Sequence, residues 1–142
     1  MLTELTNGFG KVYLTIDYDA ANKWVHNNWI GYQTYTGVLA GADACLFPIR
    51  ENQCAYLLND NRQVLGPWDH AVDWIANNWA PRATEAGLTH FAHVVSTESL
   101  AADSARSMFL GIGGRLHMHM FGNVDEAQEW LRAAQAAAGR TR

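Results

Sequence analysis

The most chemically varied segment of the sequence is the run Asn59 to Arg62, which reads NDNR and is followed by Asp69 and His70. It offers amides, a carboxylate and a guanidinium directly after an apolar segment that predicts a buried strand. Ligands of α/β proteins bind at the carboxyl ends of such strands. The candidate ligand-binding residues are therefore Asn59, Asp60, Asn61, Arg62, Asp69 and His70. The alternative is a tight turn, because Asn and Asp side chains hydrogen-bond nearby backbone.

Histidines offer a second possible chemistry. His117 and His119 are two residues apart, so on a strand both point to one face. A zinc site needs a third or fourth ligand, and the sequence does not place the other histidines relative to this pair. We therefore predict no metal and no cofactor, and interpret the pair as part of a polar sheet face or a surface under a partner.

Nucleophilic catalysis has no recognisable motif in this sequence. Several serines lie near a predicted helix start, but no Gly-x-Ser-x-Gly elbow is present. The glycine-rich run Gly111 to Gly114 follows a predicted helix and precedes a strand, the reverse of the order in a phosphate-binding loop. We predict no catalytic residue and a non-enzymatic protein. An enzyme of unknown chemistry that uses Asp60 or His70 is the remaining alternative.

The elements that must position these residues alternate between strand and helix. Apolar patterns predict five strands, at Val12 to Tyr18, Lys23 to Ile30, Cys54 to Leu58, Thr89 to Val95 and Arg115 to Phe121. A 3.6-residue period predicts helices at Tyr35 to Arg50, at Trp68 to Trp79, from a cap at Ser96 or Thr97 to Ile112, and from a cap at Asn123 to Ala138. Between the third strand and the second helix we expect a polar loop, Asn59 to Gly66. Pro81 is expected to stop that helix.

The resulting order is β-β-α-β-α-β-α-β-α, an opening hairpin followed by strand–helix units. This order predicts an α/β fold with a mixed five-stranded sheet and about four helices. A length of 142 residues suits a single domain. The core is expected within residues 12–132, with a short tail after it.

Six tryptophans are more than simple core filling requires. On the second predicted helix, Trp74 is rotated by about 100° or more from the centre of the apolar stripe. On the second strand, the side chains of Trp24 and Trp29 point to opposite faces, so one of the two must face away from one side of the strand. Because interfaces are enriched in aromatic residues, Trp74, Trp24 and Trp29 are candidate interface residues of a homodimer. Packing against a neighbouring helix of the same chain is the alternative.

Composition excludes several classes of partner. The formal net charge of −4 arises from scattered residues, and the basic tail from Arg140 is too short for a nucleic-acid footprint. No apolar run reaches the ~20 residues that span a bilayer, and the N-terminal residues lack the pattern of a secretory signal. Cys45 and Cys54 are interpreted as buried thiols of a reducing compartment. We therefore expect a cytoplasmic protein that binds neither nucleic acid nor membranes.

The order of elements and several segments resemble the STAS domain, specifically its SpoIIAA-like branch of small bacterial proteins. The segments are the WIG of Trp29 to Gly31, LNDNR, GPWDHAVDWI, GLTHFAHVVS and FGNVDEAQEWL. The resemblance extends from Val12 to Arg132. It implies a SpoIIAA-like fold and a regulatory or protein-interaction module in bacterial signalling.

One property of that family does not transfer. Anti-sigma-factor antagonists with this domain are phosphorylated on a serine at the start of the helix after the third strand, but no Ser or Thr occurs from Asn59 through Asn78. Asp69 either supplies a fixed negative charge there or is an ordinary helix-start residue. Two functions stay open: a STAS-like module without the phosphorylatable serine, and a small-ligand-binding protein that uses Asn59–Arg62 and the following helix start.

Overall fold

The computed structural model describes residues 2–96 and 99–140, which form a six-stranded sheet with helices on both faces. The strands are β1 Leu2–Thr6, β2 Val12–Asp19, β3 Trp24–Gly31, β4 Tyr56–Val64, β5 His90–Val94 and β6 His117–Phe121. They lie side by side in chain order, with β1 to β3 antiparallel and β3 to β6 parallel. The predicted mixed α/β architecture is confirmed at this level.

The helices are α1 Tyr35–Glu51, a composite helix, α4 Leu100–Ile112 and α5 Val124–Arg140. The composite helix joins a 3₁₀ turn Asp69–Ala71, α2 Val72–Trp74, a π-helical turn Ile75–Trp79 and α3 Ala80–Ala86. A further 3₁₀ turn, Gly113–Arg115, follows α4. None of the described helices combines the length and apolar character that a membrane crossing requires.

The helices divide unequally between the two faces of the sheet. Right-handed crossovers between parallel neighbours put α1, the composite helix and α4 on one face, which we call the helix-layer face. The main core lies there, and its central row is formed by opposed residues of β3 to β6, namely Val25, Leu57, Phe91 and Met118. On the other face, the α5 face, α5 covers a smaller core of Trp24, Leu58, Ala92, Val94, Ala127 and Leu131.

The sheet has one strand more than the five predicted. β1 pairs antiparallel with β2 at the edge of the sheet, and most of its side chains are exposed. Its apolar residues, Leu2 and Leu5, are three apart, so the two-residue alternation that identifies a half-buried strand is missing. An edge strand whose side chains are mostly exposed does not need an apolar face, so it does not need that alternation.

The predicted polar loop from Asn59 to Gly66 is wrong over most of its length. β4 continues to Val64, and Asn59 and Asp60 pair with β3 on one side and β5 on the other. Asn and Asp are rare in strands because they prefer turns. Here that preference is overridden, because Asn59 finds polar partners on the neighbouring strands and Asp60 pairs with Arg62 of its own strand. The connection to the composite helix is therefore short.

Pro81 does not stop the composite helix, which continues to Ala86. The proline lies in the first turn of α3, where a missing N–H costs little, and the π turn immediately precedes α3.

Of the predicted helix caps, Asn123 is confirmed, since its Oδ1 accepts from the Glu126 N–H at 2.9 Å. For α4 the cap is Ser99, whose Oγ accepts from the Ala102 N–H at 3.1 Å, rather than Ser96. Thr97 lies outside the described residues.

Candidate functional site

A row of three polar side chains crosses the helix-layer face inside the main core. Asn27 of β3 lies opposite Asn59 of β4, which lies opposite His93 of β5. Their relative exposures are 2%, 7% and 0%, so the whole row is withdrawn from solvent. Because buried polar groups need hydrogen-bond partners, the three side chains must bond to one another or to a further group.

Hydrogen bonds connect this row through Asn59. Its Oδ1 accepts from Trp29 Nε1 at 2.9 Å and from Asn27 Nδ2 at 3.3 Å, and its Nδ2 lies 3.1 Å from His93 Nδ1. An amide nitrogen only donates, so His93 Nδ1 accepts and the proton of the neutral ring sits on Nε2. Asn27 Nδ2 also lies 3.2 Å from Cys45 Sγ. The direction of every bond in the row is therefore determined.

A cavity of about 50 Å³ adjoins this row, between β3–β5 and the three elements of the helix layer. Apart from apolar side chains, its wall contains amides, indoles and one thiol: Asn27, Gln33, Asn59, Asn61, Trp29, Trp68, Trp79 and Cys45. None of the described residues in this wall carries a formal charge. About 10–15 Å³ holds one water, so the space is equivalent to roughly three to five waters.

Three atoms of the wall residues have no hydrogen-bond partner within the described part of the chain. They are Asn27 Oδ1, Gln33 Oε1 and Trp68 Nε1, and His93 Nε2 behind Asn59 is in the same state. A buried polar group without a partner costs about 1–3 kcal/mol. Unpartnered atoms also occur away from this wall, at His26 Nε2 and Asn28 Oδ1, but three of them belong to residues that line one cavity.

The helix-layer wall of the cavity includes the π-helical turn. Ile75 and Trp79, its first and last residues, both line the space, and Trp79 Nε1 donates to the Ala42 carbonyl of α1 at 2.7 Å. The start of the composite helix is held by Ser104 of α4, whose Oγ accepts from the Trp68 N–H at 2.9 Å. Single π turns inside helices occur frequently at functional sites. Here the π turn directs a large indole toward the cavity.

Burial keeps the titratable groups near the cavity neutral. Desolvation lowers the pKa of His93 to about 4, outweighing the opposite effect of Asp60. Desolvation also raises the pKa of the Cys45 thiol to about 12, although the Asn27 hydrogen bond acts in the other direction. Near neutral pH the site therefore contains a neutral imidazole and an unreactive thiol.

Asp60 and Arg62 lie on the α5 face, the side opposite to Asn59. Arg62 Nη2 donates to Asp60 Oδ2 at 2.8 Å, and its Nε lies 3.1 Å from Oδ1. Burial acts to raise the pKa of Asp60, but the Arg62 hydrogen bonds outweigh it and hold the pKa below its usual value. His26 of β3 also faces this carboxylate, and its burial lowers the pKa of the imidazole. This face therefore contains charge that is already paired.

The six residues predicted as a ligand site are thus separated by the structure. Asn59 and Asn61 line the cavity, whereas Asp60 and Arg62 lie on the α5 face of the sheet. Asp69 and His70 are exposed at the start of the composite helix. His70 keeps an indirect connection, since its Nε2 lies 3.2 Å from the Gln33 carbonyl. A single site that uses all six is not formed.

Sequence reasoning missed most of the polar residues of the site, namely Asn27, Gln33, Cys45, Trp68, Trp79 and His93. One signal was present, because Asn27 occupies the same side of β3 as Val25 and Trp29, where an apolar residue is expected. A polar residue on a buried face indicates either a hydrogen-bond network or a site.

The candidate interface tryptophans occupy different environments. Trp24 is 1% exposed in the second core and Trp29 is 7% exposed in the main core, so both indoles serve packing within the chain. Trp74 is partly buried against the main core, and the Arg82 guanidinium lies 5.6 Å from its ring centroid. Burial of Trp24 and Trp29 leaves little of either for a partner to contact.

His90 of β5 and the two histidines of β6, His117 and His119, form an aromatic surface on the α5 face. His90 stacks on His117 with ring centroids 4.9 Å apart, and both His90 and His119 contact the Trp130 ring of α5. Within residues 2–96 and 99–140, no group of three or more His, Cys, Asp or Glu side chains is arranged to hold a metal.

Comparison of the chain with protein-family models, curated proteins and solved structures gives no match. The resemblance to STAS domains therefore stays a prediction, and the cavity carries the functional argument.

Proposed function

We propose that this chain is a non-enzymatic small-molecule-binding domain whose ligand occupies the cavity between β3–β5 and the helix layer. The observation that carries the proposal is that three residues lining one space, Asn27, Gln33 and Trp68, each have a buried polar atom without a hydrogen-bond partner. This develops the ligand-binding alternative of the sequence analysis, with the site moved from a loop into the core.

Two features support a ligand rather than a packing defect. Close packing leaves few voids larger than a water molecule in a protein core, and those that remain empty are apolar. This cavity has amides and indoles in its wall, and part of that wall is a π turn. Holding such groups together costs stability, which is typical of a binding site rather than of a core optimised for packing.

The test is a titration of wild-type protein with neutral compounds of a few heavy atoms, followed through the indole N–H signals in ¹H–¹⁵N spectra. We expect at least one compound to shift the Trp68 signal. Ala42 lines the cavity, so Ala42→Leu is expected to abolish the shift by filling the space. Ala40→Leu makes the same change on an exposed position of α1 and should leave the shift intact.

Ordered water is the competing occupant. If no compound shifts the Trp68 signal while cross-relaxation shows long-lived water beside it, the cavity is a structural hydration site and the proposal fails. Equal shifts in Ala42→Leu and in wild type would also overturn it, because the compounds would then bind elsewhere.

A second candidate function is the STAS-like regulatory or protein-interaction module, and it is favoured by an exposed aromatic patch. Tyr32 and Leu65, in the loops that follow β3 and β4, are 77% and 54% exposed, and Tyr35 at the start of α1 is 44% exposed. Leu65 N–H donates to the Gly31 carbonyl at 3.0 Å, which holds the two loops together. Apolar side chains of this kind are typical of contact surfaces.

As in the sequence analysis, the partner proposed for this patch is a second copy of the chain. Sedimentation should then show a dimer that Tyr32→Ser with Leu65→Ser dissociates. Phe9→Ser, at a residue 90% exposed in the β1–β2 turn, serves as the control and should remain dimeric. A wild-type monomer at every concentration would end this candidate.

A further inference from the structure

We infer that the ligand of the cavity is a small, uncharged, planar amide or urea-like group. The inference rests on the proposed function and adds the chemical class of the ligand. It follows from which atoms of the wall lack partners and from the absence of formal charge among the described residues that line the cavity.

The unpartnered atoms define a hydrogen-bonding pattern. Asn27 Oδ1 and Gln33 Oε1 are amide oxygens and can only accept, whereas Trp68 Nε1 can only donate. The complementary ligand therefore carries N–H donors for the two oxygens and an acceptor for the indole. A carboxamide has both on one planar group, and urea has two NH₂ groups for the two oxygens.

The amide nitrogens of Asn27 and Gln33 already donate hydrogen bonds. A rotation that exchanged amide nitrogen and oxygen would therefore break those bonds. Asn27 Nδ2 is engaged with Asn59 Oδ1 and Cys45 Sγ, and Gln33 Nε2 donates to the Ile30 carbonyl at 3.0 Å. Their oxygens therefore remain the groups offered to a ligand. All three unpartnered atoms are covered by neighbouring protein atoms, so a ligand in the cavity contacts them only when these side chains turn toward it, and Gln33 is the least buried of the three residues.

Charged ligands are excluded by the same wall. An ion transferred into a site without a counter-charge loses its hydration and gains nothing comparable. Asp60 and Arg62, the ionised groups next to Asn59 and Asn61 in sequence, pair with each other on the opposite face of the sheet. A neutral ligand avoids this cost.

Size and wall shape favour a flat molecule. The cavity of about 50 Å³ accommodates only a few heavy atoms, and aromatic rings of Trp29, Trp68, Trp79 and Phe91 form much of its wall. Planar groups pack well against ring faces and edges.

The test compares acetamide, acetone and acetate, which have the same shape but differ in donors and charge. We expect acetamide to shift the Trp68 indole signal with a Kd of about a millimolar, as suits a fragment of so few atoms. Acetone lacks the N–H donors and should bind at least about tenfold more weakly, because it leaves Asn27 Oδ1 and Gln33 Oε1 unpaired. Acetate should give no shift, and urea should bind at least as tightly as acetamide.

Variants separate this inference from the proposal beneath it. Gln33→Met keeps the length of the side chain but removes the acceptor, so the preference for acetamide over acetone should shrink. If acetone or acetate binds as tightly as acetamide in wild type but not in Ala42→Leu, the ligand class is wrong and the binding cavity stands. If none of the compounds binds and other neutral compounds also fail, the proposed function itself is overturned.

Discussion

Asn59 and Asp60 are consecutive residues of β4 with opposite environments. Asn59 points to the helix-layer face, where it joins Asn27, Trp29 and His93 in a network of neutral groups. Asp60 points to the α5 face, where its charge is matched by Arg62, whose side chain is 47% exposed. Strand alternation alone produces this division.

The comparison shows how a sheet can separate two kinds of polar chemistry. On the α5 face the guanidinium of Arg62 reaches water, so a full charge can be kept at low cost. On the helix-layer face the row of Asn27, Asn59 and His93 does not reach water. Its polar groups are neutral amides, an indole and an imidazole with a lowered pKa. The neutral face contains the cavity beside the row of Asn27, Asn59 and His93, whose wall includes residues with unpartnered polar atoms, and for this reason we assign recognition to it.

The largest effect is expected when the chemistry of the two faces is exchanged. Asn59→Asp places a carboxylate in the main core beside the His93 ring, which burial keeps neutral at pH 7, and it removes the donor to that ring. We expect it to lower the free energy of unfolding at pH 7 by about 3 kcal/mol or more. Asp60→Asn keeps an acceptor for Arg62, which solvent can reach, and should cost about 1 kcal/mol.

Guanidinium chloride unfolding measures both variants, and urea is avoided because it is a proposed ligand. Asn59→Leu is a useful third variant, since it removes the polar group without adding charge. Equal losses for Asn59→Asp and Asp60→Asn would show that water reaches both faces alike, and the comparison would fail.

The same alternation explains how far the sequence could predict the molecule. β2, β3, β5 and β6 were predicted close to their observed bounds because each alternates or is uniformly apolar. β4 was cut short at Leu58, since NDNR is composed of turn residues when read locally. Its strand conformation depends on Asn27 and His93, which are 32 and 34 residues from Asn59. A local pattern carries no information about partners so distant in sequence.

The candidate site was half predicted for the same reason. Asn59 and Asn61 were selected for their polar chemistry, and they do line the cavity. Asp60 and Arg62 were grouped with them because a loop has no fixed faces. Once the segment is a strand, its two-residue period separates the four residues. The residues that complete the cavity come from β3, β5, α1, the composite helix and α4, and only the fold brings them together.

The next largest effect is expected in the pH dependence of stability. Burial lowers the pKa of His93 from 6.5 to about 4, so the folded state resists protonation more than the unfolded chain. Stability is then full above about pH 6.5 and falls as the pH drops toward 4, by about 3 kcal/mol at 1.4 kcal/mol per pH unit. His93→Gln retains an acceptor for Asn59 and should flatten this part of the curve.

Histidines of the α5 face provide the contrast for that experiment. Burial also lowers the pKa of His26 and of His90, where His117 adds to the effect, so both contribute with the same sign. Each retains some exposure, and His26→Gln or His90→Gln should flatten the curve less than His93→Gln. If either variant flattened the curve more than His93→Gln does, the most strongly desolvated histidine would lie on the α5 face, and the comparison of the two faces would be wrong.

The smallest effect is expected from a matched pair of tryptophans, one on each face. Trp79 is 3% exposed and its Nε1 donates to the Ala42 carbonyl at 2.7 Å, so Trp79→Phe loses a buried hydrogen bond and leaves a gap beside the cavity. We expect a cost of about 2 kcal/mol. Trp130 contacts His90, His119 and Phe121 through its ring, contacts that a phenyl ring can partly replace. Trp130→Phe should therefore cost less than about 1 kcal/mol. Thermal unfolding at constant pH resolves the two, and a reversed order would mean that α5, rather than the π turn, is the more tightly held element.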